Sequence, residues 1–128
     1  MTKFVNCTII LITWKVWVGK GIMEKIQEAL KQFVQERNWE KFHTGVNLAK
    51  SISIEANELL ELFQWNDETT NQKDLKRELA DVFIYAIMLS MKYNLDVKEI
   101  INDKIKENRE KYPVEKSYGS SKKYNKLD

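Results

Sequence analysis

Two short strings place carboxylates where a folded helix would bury them. Glu55-x-x-Glu58 lies within SIEANELLELFQW (residues 53–65), and Glu78-x-x-Asp81 lies within KRELADVFIYAIMLS (residues 76–90). Residues three apart project from one helix face toward a shared point. On a wheel of about 100° per residue, Leu48, Ile52, Leu59 and Leu62 fall within about 60° of Glu55. Leu75, Val82, Tyr85 and Leu89 surround Glu78 in the same way. Glu58 and Asp81 lie at the edges of these stripes, and Glu61 points to the polar side. Two neighbouring helices therefore carry one device twice.

A carboxylate in apolar surroundings must be paired or neutralised. Four of them converging between two helices would also repel one another. A divalent cation answers both demands, and all-oxygen ligation without clustered Cys or His suits Mg²⁺, or Mn²⁺. Mg²⁺ commonly shares its shell with substrate phosphates. Lys50, Lys76 or Arg77 could instead satisfy the acids as ion pairs, which leaves a purely structural network as the competing reading.

Further along the chain, Val97 and Ile101 mark an inward stripe that Lys104, Asn108 and Lys111 continue at helical spacing. Ammonium and amide donors beside a cation site would grip a triphosphate. Taken alone, the same residues read as boundary lysines that snorkel to water. Trp39, His43, Asn47, Trp65 and Tyr85 offer flat rings and polar edges for a nucleobase. Aromatic residues at helix ends also serve as ordinary core. Cys7 is the one cysteine and His43 the one histidine. Neither belongs to a nucleophile–base pair, so a covalent intermediate is not expected. A di-iron bundle would need Glu-x-x-His on two helices, and His43 lies outside both motifs.

The elements that must carry these residues are helices. One Pro and four Gly in 128 residues leave long unbroken segments. The expected helices run from Met23 to about Arg37, from Val46 to Trp65, from Gln72 to Lys92, and from an Asp96 N-cap to Lys111. Thr44-Gly45 reads as a turn, Thr70 or Asn71 as a cap, and Asp96 with Glu99 as a capping box. Pro113 ends the last helix. The chain thus divides into an N-terminal extension (residues 1–22), a helical domain (23–112) and a polar C-terminal tail (113–128). The extension is rich in β-branched and aromatic residues, and Val16, Val18 and Ile22 alternate weakly as a short strand would. Its apolar run is too short for a span of about 20 residues. A formal net charge of +2 argues against nucleic acid or an anionic membrane as partner. A lone cysteine fits a reducing compartment, the cytoplasm. Phe83, Ile84 and Met88 form an apolar face on the side of the third helix away from Glu78, which predicts self-association.

The segments ERNWEKFHTGVNLAKSISIEANELLELFQW, KRELADVFIYAIMLS and IKENREKYPVEKSYGSSKKYNKL together resemble the MazG-like all-α NTP pyrophosphohydrolases, in their dCTP-pyrophosphatase-like branch. The resemblance spans about residues 23 to 127. It implies a four-helix bundle assembled as a homodimer or homotetramer. It also implies Mg²⁺-dependent hydrolysis of (deoxy)nucleoside triphosphates to the monophosphate and pyrophosphate. Glu55, Glu58, Glu78 and Asp81 then match the metal ligands, with Glu58 or Glu55 serving the attacking water. Trp39, His43, Asn47, Trp65 and Tyr85 match the nucleotide pocket, and Lys104, Asn108 and Lys111 the phosphate grip. Gly45 stands where relatives usually have proline, and Leu30 where some have a polar residue that contacts the base. A non-catalytic helical oligomerisation module is the alternative that the residues alone leave open.

Overall fold

A computed structural model describes residues 21–65 and 71–127. Helix α1 spans Ile22–Glu36, α2 Gly45–Glu61, α3 Gln72–Lys92, α4 Val97–Lys111 and the single-turn α5 Val114–Ser117. Short 3-10 turns occupy Glu40–Phe42 and Tyr124–Lys126. All regular structure among the described residues is helical, as the scarcity of breakers predicts. The possible strand at Val16 and Val18 lies outside the described residues, whereas Ile22 already belongs to α1.

Local chemistry explains most boundaries. Thr44 accepts from the Asn47 N–H at 3.2 Å and so caps α2, with Gly45 as its first helical residue. Asn71 accepts from the Asp74 N–H at 3.1 Å at the head of α3, and Asp96 from the Glu99 N–H at 2.9 Å at the head of α4. Helices α1 and α3 both end in a Schellman turn around an asparagine with positive φ. Asn38 and Asn94 each have φ of 52°. The Trp39 N–H reaches the Val34 carbonyl at 3.1 Å, and the Leu95 N–H reaches that of Ser90 at 2.9 Å. The second helix is shorter than its apolar pattern predicts. After Leu60 the chain tightens into i→i+3 bonds, Phe63 to Leu60 and Gln64 to Glu61, so Trp65 lies beyond the helix and is exposed. The C-terminal tail is partly structured. Ser117 Oγ donates to the Pro113 carbonyl at 2.7 Å, and the Tyr124 ring meets Tyr112 edge-on at 6.2 Å.

Packing is uneven. Helix α2 lies along α3, α1 touches α3, and α4 makes only sparse contacts with the others. Helices α2 and α3 run antiparallel, because Leu48 shares a cavity wall with Met88 and Met91 while Glu55 and Glu58 meet Glu78. Full burial is reached among the described residues by Val34, Leu48 and Ser90. The Ser90 hydroxyl is satisfied by the Ile87 carbonyl at 2.7 Å. Apolar pairs at i, i+4 stay uncovered, notably Leu79–Phe83 on α3 and Ile101–Ile105 on α4. Met88 departs from the expected outward face. It is half-buried and lines the cavity beside His43, since its wheel position turns it toward α1 and α2.

Leu48, 2% exposed, is the best buried side chain on the α2–α3 seam. Leu48→Ala should cost about 3 kcal/mol of unfolding free energy in urea titrations. Val46→Ala, at a position 65% exposed, should stay within about 0.5 kcal/mol of the parent.

Candidate functional site

The α2–α3 seam brings carboxylates from both helices to one place. Glu55, Glu58 and Glu78 each offer an oxygen, and these oxygens lie within 4.8 Å of one another. Glu55 and Glu78 are half-buried, and Glu58 is exposed. Asp81 is also half-buried and lies outside that close set, but its charge still reaches Glu55. Burial pushes the Glu55 carboxyl above the usual carboxylate value. The neighbouring charges of Glu58, Asp81 and Glu78 push it further in the same direction. Every charge acting on Glu55 here is therefore negative.

Neither Lys50 nor Lys76 forms an ion pair with these acids. Arg77 turns to Asp74, at 3.8 Å. Lys104 and Lys111 both bind Glu107 on their own helix, the former at 2.7 Å. Those two lysine hydrogen bonds hold the Glu107 carboxyl down at about 2. Among the described residues, no ion pair reaches Glu55, Glu58, Glu78 or Asp81. Among the described residues, the cluster is a concentrated negative charge with no ion-paired cation. Its donor set fits a hard divalent ion: oxygens around an octahedral Mg²⁺ at about 2.1 Å lie roughly 3–4 Å apart, close to the spacing present.

Seven residues before Glu55, and so about 10 Å along the same helix face, Leu48 closes a cavity. Its volume is about 350 Å³, and Leu30, Val34, Met88 and Met91 supply its apolar wall. His43 lines it too, and its Nδ1 is buried without a hydrogen-bond partner. Lys31, Glu40 and Lys92 complete the lining. An open-sided pocket with an apolar wall and one unsatisfied ring nitrogen suits a flat heterocycle carrying a complementary polar atom.

The other candidates are distributed differently. Trp39 packs edge-on against Phe33, with ring centroids 5.8 Å apart. Asn47 donates through Nδ2 to the Phe42 carbonyl at 2.8 Å, so its amide braces the connection. Tyr85 is half-buried on α3, one turn beyond Asp81. Trp65 is 84% exposed at the end of the described part of that connection. Lys104, Asn108 and Lys111 sit on α4, away from the α2–α3 seam within this one chain. Of the residues put forward from the sequence for the nucleotide pocket, the cavity itself takes His43. Met88 and Met91 are the lining residues that sequence reasoning missed. Met88 read as part of an outward face, and only helical spacing toward the α2 side of α3 could have signalled the pair.

Comparison with known proteins gives a consistent picture. The MazG-like family profile matches residues 50–127. The chain is 36% identical to dCTP pyrophosphatase 1 of Mus musculus over 114 residues, covering 82% of this chain and 67% of that protein. Against dCTP pyrophosphatase 1 of Homo sapiens the identity is 33% over the same length and coverage. Among solved structures, a pyrophosphatase from Archaeoglobus fulgidus superimposes with a TM-score of 0.69 at 36% identity, covering 73% of this chain and 94% of that one.

The electrostatics of Glu55 carry a signed expectation. Its carboxyl binds a proton more tightly in the native state than in the unfolded chain, whose value is near 4.5. Without divalent cations, native stability therefore falls as pH rises from about 4.5 through the raised native value. Glu55→Gln removes that loss. In urea titrations with a chelator present, the variant should gain on the parent as pH rises toward neutrality and match it in acid. A gap that closes with rising pH would show a cationic partner in the fold.

Proposed function

This chain belongs to the MazG-like family, in its dCTP-pyrophosphatase-like branch, and from that premise we propose that it is a Mg²⁺-dependent nucleoside triphosphate pyrophosphohydrolase with dCTP-like substrates. The observation that carries the reading is the set of three glutamate oxygens within 4.8 Å, none of them ion-paired to a cation among the described residues. The names of the similar proteins, dCTP pyrophosphatase 1 and an archaeal pyrophosphatase, support the same chemistry.

In this reading Glu55, Glu58, Glu78 and Asp81 hold the metal, for which Mn²⁺ is an acceptable substitute. The bound ion would acidify a water and neutralise charge on the departing pyrophosphate. Glu58, the exposed member, orients that water and accepts its proton. The water oxygen bonds to the α-phosphorus, and the bond from that phosphorus to the α,β-bridging oxygen breaks. The nucleoside monophosphate and pyrophosphate leave. His43 and the apolar cavity hold the base, about 10 Å along α2 from the acids, a separation that the sugar and phosphates can span.

Association belongs to the same proposal. Leu79, Phe83, Ile101 and Ile105 stay exposed in the single chain. Apolar pairs of that size on two helices are faces for another subunit. A homodimer or homotetramer would cover them and could bring Lys104, Asn108 and Lys111 of α4 to a neighbouring acid cluster. No described helix is long and apolar enough to cross a membrane, and the proposed setting is the cytoplasm.

The test is turnover with Mg²⁺ and a panel of nucleotides. Glu55→Gln, Glu78→Gln and Asp81→Asn should each lower kcat by about 100-fold or more. Oxygen from labelled water should enter the monophosphate. Full Mg²⁺-dependent activity in any of the three variants would refute the assignment, and label in pyrophosphate would move the attack to the β-phosphorus. Mg²⁺ with a nucleotide should also raise the melting temperature; a non-catalytic interaction module would show no shift.

A further inference from the structure

Gly45 is the first residue of α2, and its backbone lies outside the left-handed region that calls for glycine. Glycine within a helix is disfavoured relative to alanine. The missing Cβ does leave room for something specific. A Cβ at Gly45 would come within 2.9 Å of Tyr93 Cζ and 3.0 Å of Cε2, and closer still to the hydroxyl. The ring of Tyr93 is thus seated in the notch that the glycine creates.

Both partners are fixed from outside the contact. Tyr93 is the C-cap of α3, and its N–H binds the Leu89 carbonyl at 3.3 Å. The Schellman turn at Asn94 follows directly and sets where α3 ends. On the other side, the bonds from Asn47 to the Phe42 carbonyl and to the Thr44 hydroxyl tie Phe42 through Asn47 into one unit. Cavity-lining residues flank both partners in the chain. Met91 and Lys92 immediately precede Tyr93, His43 lies two residues before Gly45, and Leu48 three after.

We propose that Tyr93 is a positioning residue: seated over Gly45, it locks the end of α3 to the head of α2 and so holds His43 in the cavity wall where the nucleotide base binds. The catalytic half of this inference rests on the nucleotide reading above.

Tyr93 is 61% exposed, and the atoms that a Cβ would meet belong to the far end of its ring. In Gly45→Ala the ring swings out to solvent and the backbone stays. Gly45→Ala, Tyr93→Ala and the double variant then share one state, with the lock undone. Two measurements test this. In steady-state kinetics, each of the three should raise KM by about five- to tenfold with kcat within about twofold. The double variant should be no worse than either single, the mark of two residues acting through one contact. In proton NMR, His43 is the one histidine of the chain, so its ring signals need no assignment, and all three variants should shift them alike. Gly45→Ala should melt no lower than the parent, because alanine favours the helix; a simple packing defect would lower it.

Parent-like KM and His43 signals in Tyr93→Ala would overturn the proposal, as would a double variant whose KM effect is the product of the singles. A parent protein that releases no pyrophosphate would refute the nucleotide reading instead. The His43 signals would then decide the lock alone, a common shift supporting it and unmoved signals overturning it.

Discussion

Like charges held together on a half-buried seam are the constraint around which this chain is arranged. Unit charges about 5 Å apart repel by roughly 1 kcal/mol in bulk water, and by more against protein. Glu55 and Glu78 give up part of their hydration as well. Such a cluster persists only if the α2–α3 packing holds it. That packing is the most extensive helix contact in the chain, and Leu48, its best buried residue, lies on the same face of α2 as Glu55. The apolar seam and the acid cluster are one feature, since the residues that glue the helices also fix the distance between the carboxylates.

The same seam sets a second distance. An antiparallel pair has one register, and that register carries the acids toward one end of the seam and the His43 cavity toward the other. A ligand anionic at one end and heterocyclic at the other is matched along about 10 Å of helix. The two ends differ in how they are held. Glu55, Glu78 and Asp81 sit within helix interiors, where backbone hydrogen bonds are satisfied internally, and Glu58 lies in the last turn of α2. The cavity is walled by the C-terminal half of α1, the end of α3, the first turn of α2 and the connection through Glu40 and His43. Helix ends and connections adjust more easily than helix interiors, so the cavity is the more adaptable of the two ends.

Much of this was legible in residue types and spacing because caps and periodicity are local. Asn71, Asp96 and Pro113 placed the ends of α3 and α4 correctly, since each acts through its own neighbours. The acid pairs were legible for a related reason: three-residue spacing puts two carboxylates on one face whatever the tertiary structure. The repetition of the motif pointed to convergence across two helices, which Glu55, Glu58 and Glu78 show and Asp81, outside their close set, does not. What depended on contacts between distant segments was not legible. The α2 pattern continues to Trp65, but the helix stops at Glu61, because the chain tightens beyond Leu60. Met88 read as outward-facing until α1 and α2 were placed around it. The Tyr93–Gly45 seat joins residues 48 positions apart, and neither residue announces it. The stripe on α4 was read as inward, yet Ile101 is 51% exposed, because α4 makes only sparse contacts with the other helices and periodicity alone does not say whether a partner element lies opposite.

The thin core and the charged seam bear on one another. With full burial confined to Val34, Leu48 and Ser90 among the described residues, hydrophobic stabilisation within one chain is modest. The repulsion at Glu55 subtracts from it. A group that binds the native seam and not the unfolded chain adds its binding free energy to folding. Neutralising the acids would then stabilise more than the site. It would relieve the strongest local opposition to the α2–α3 contact, and through that contact the register of the cavity at the far end. Charge on the seam thereby couples the two ends of the site thermodynamically, without any moving part, because both are read from the same pair of helices.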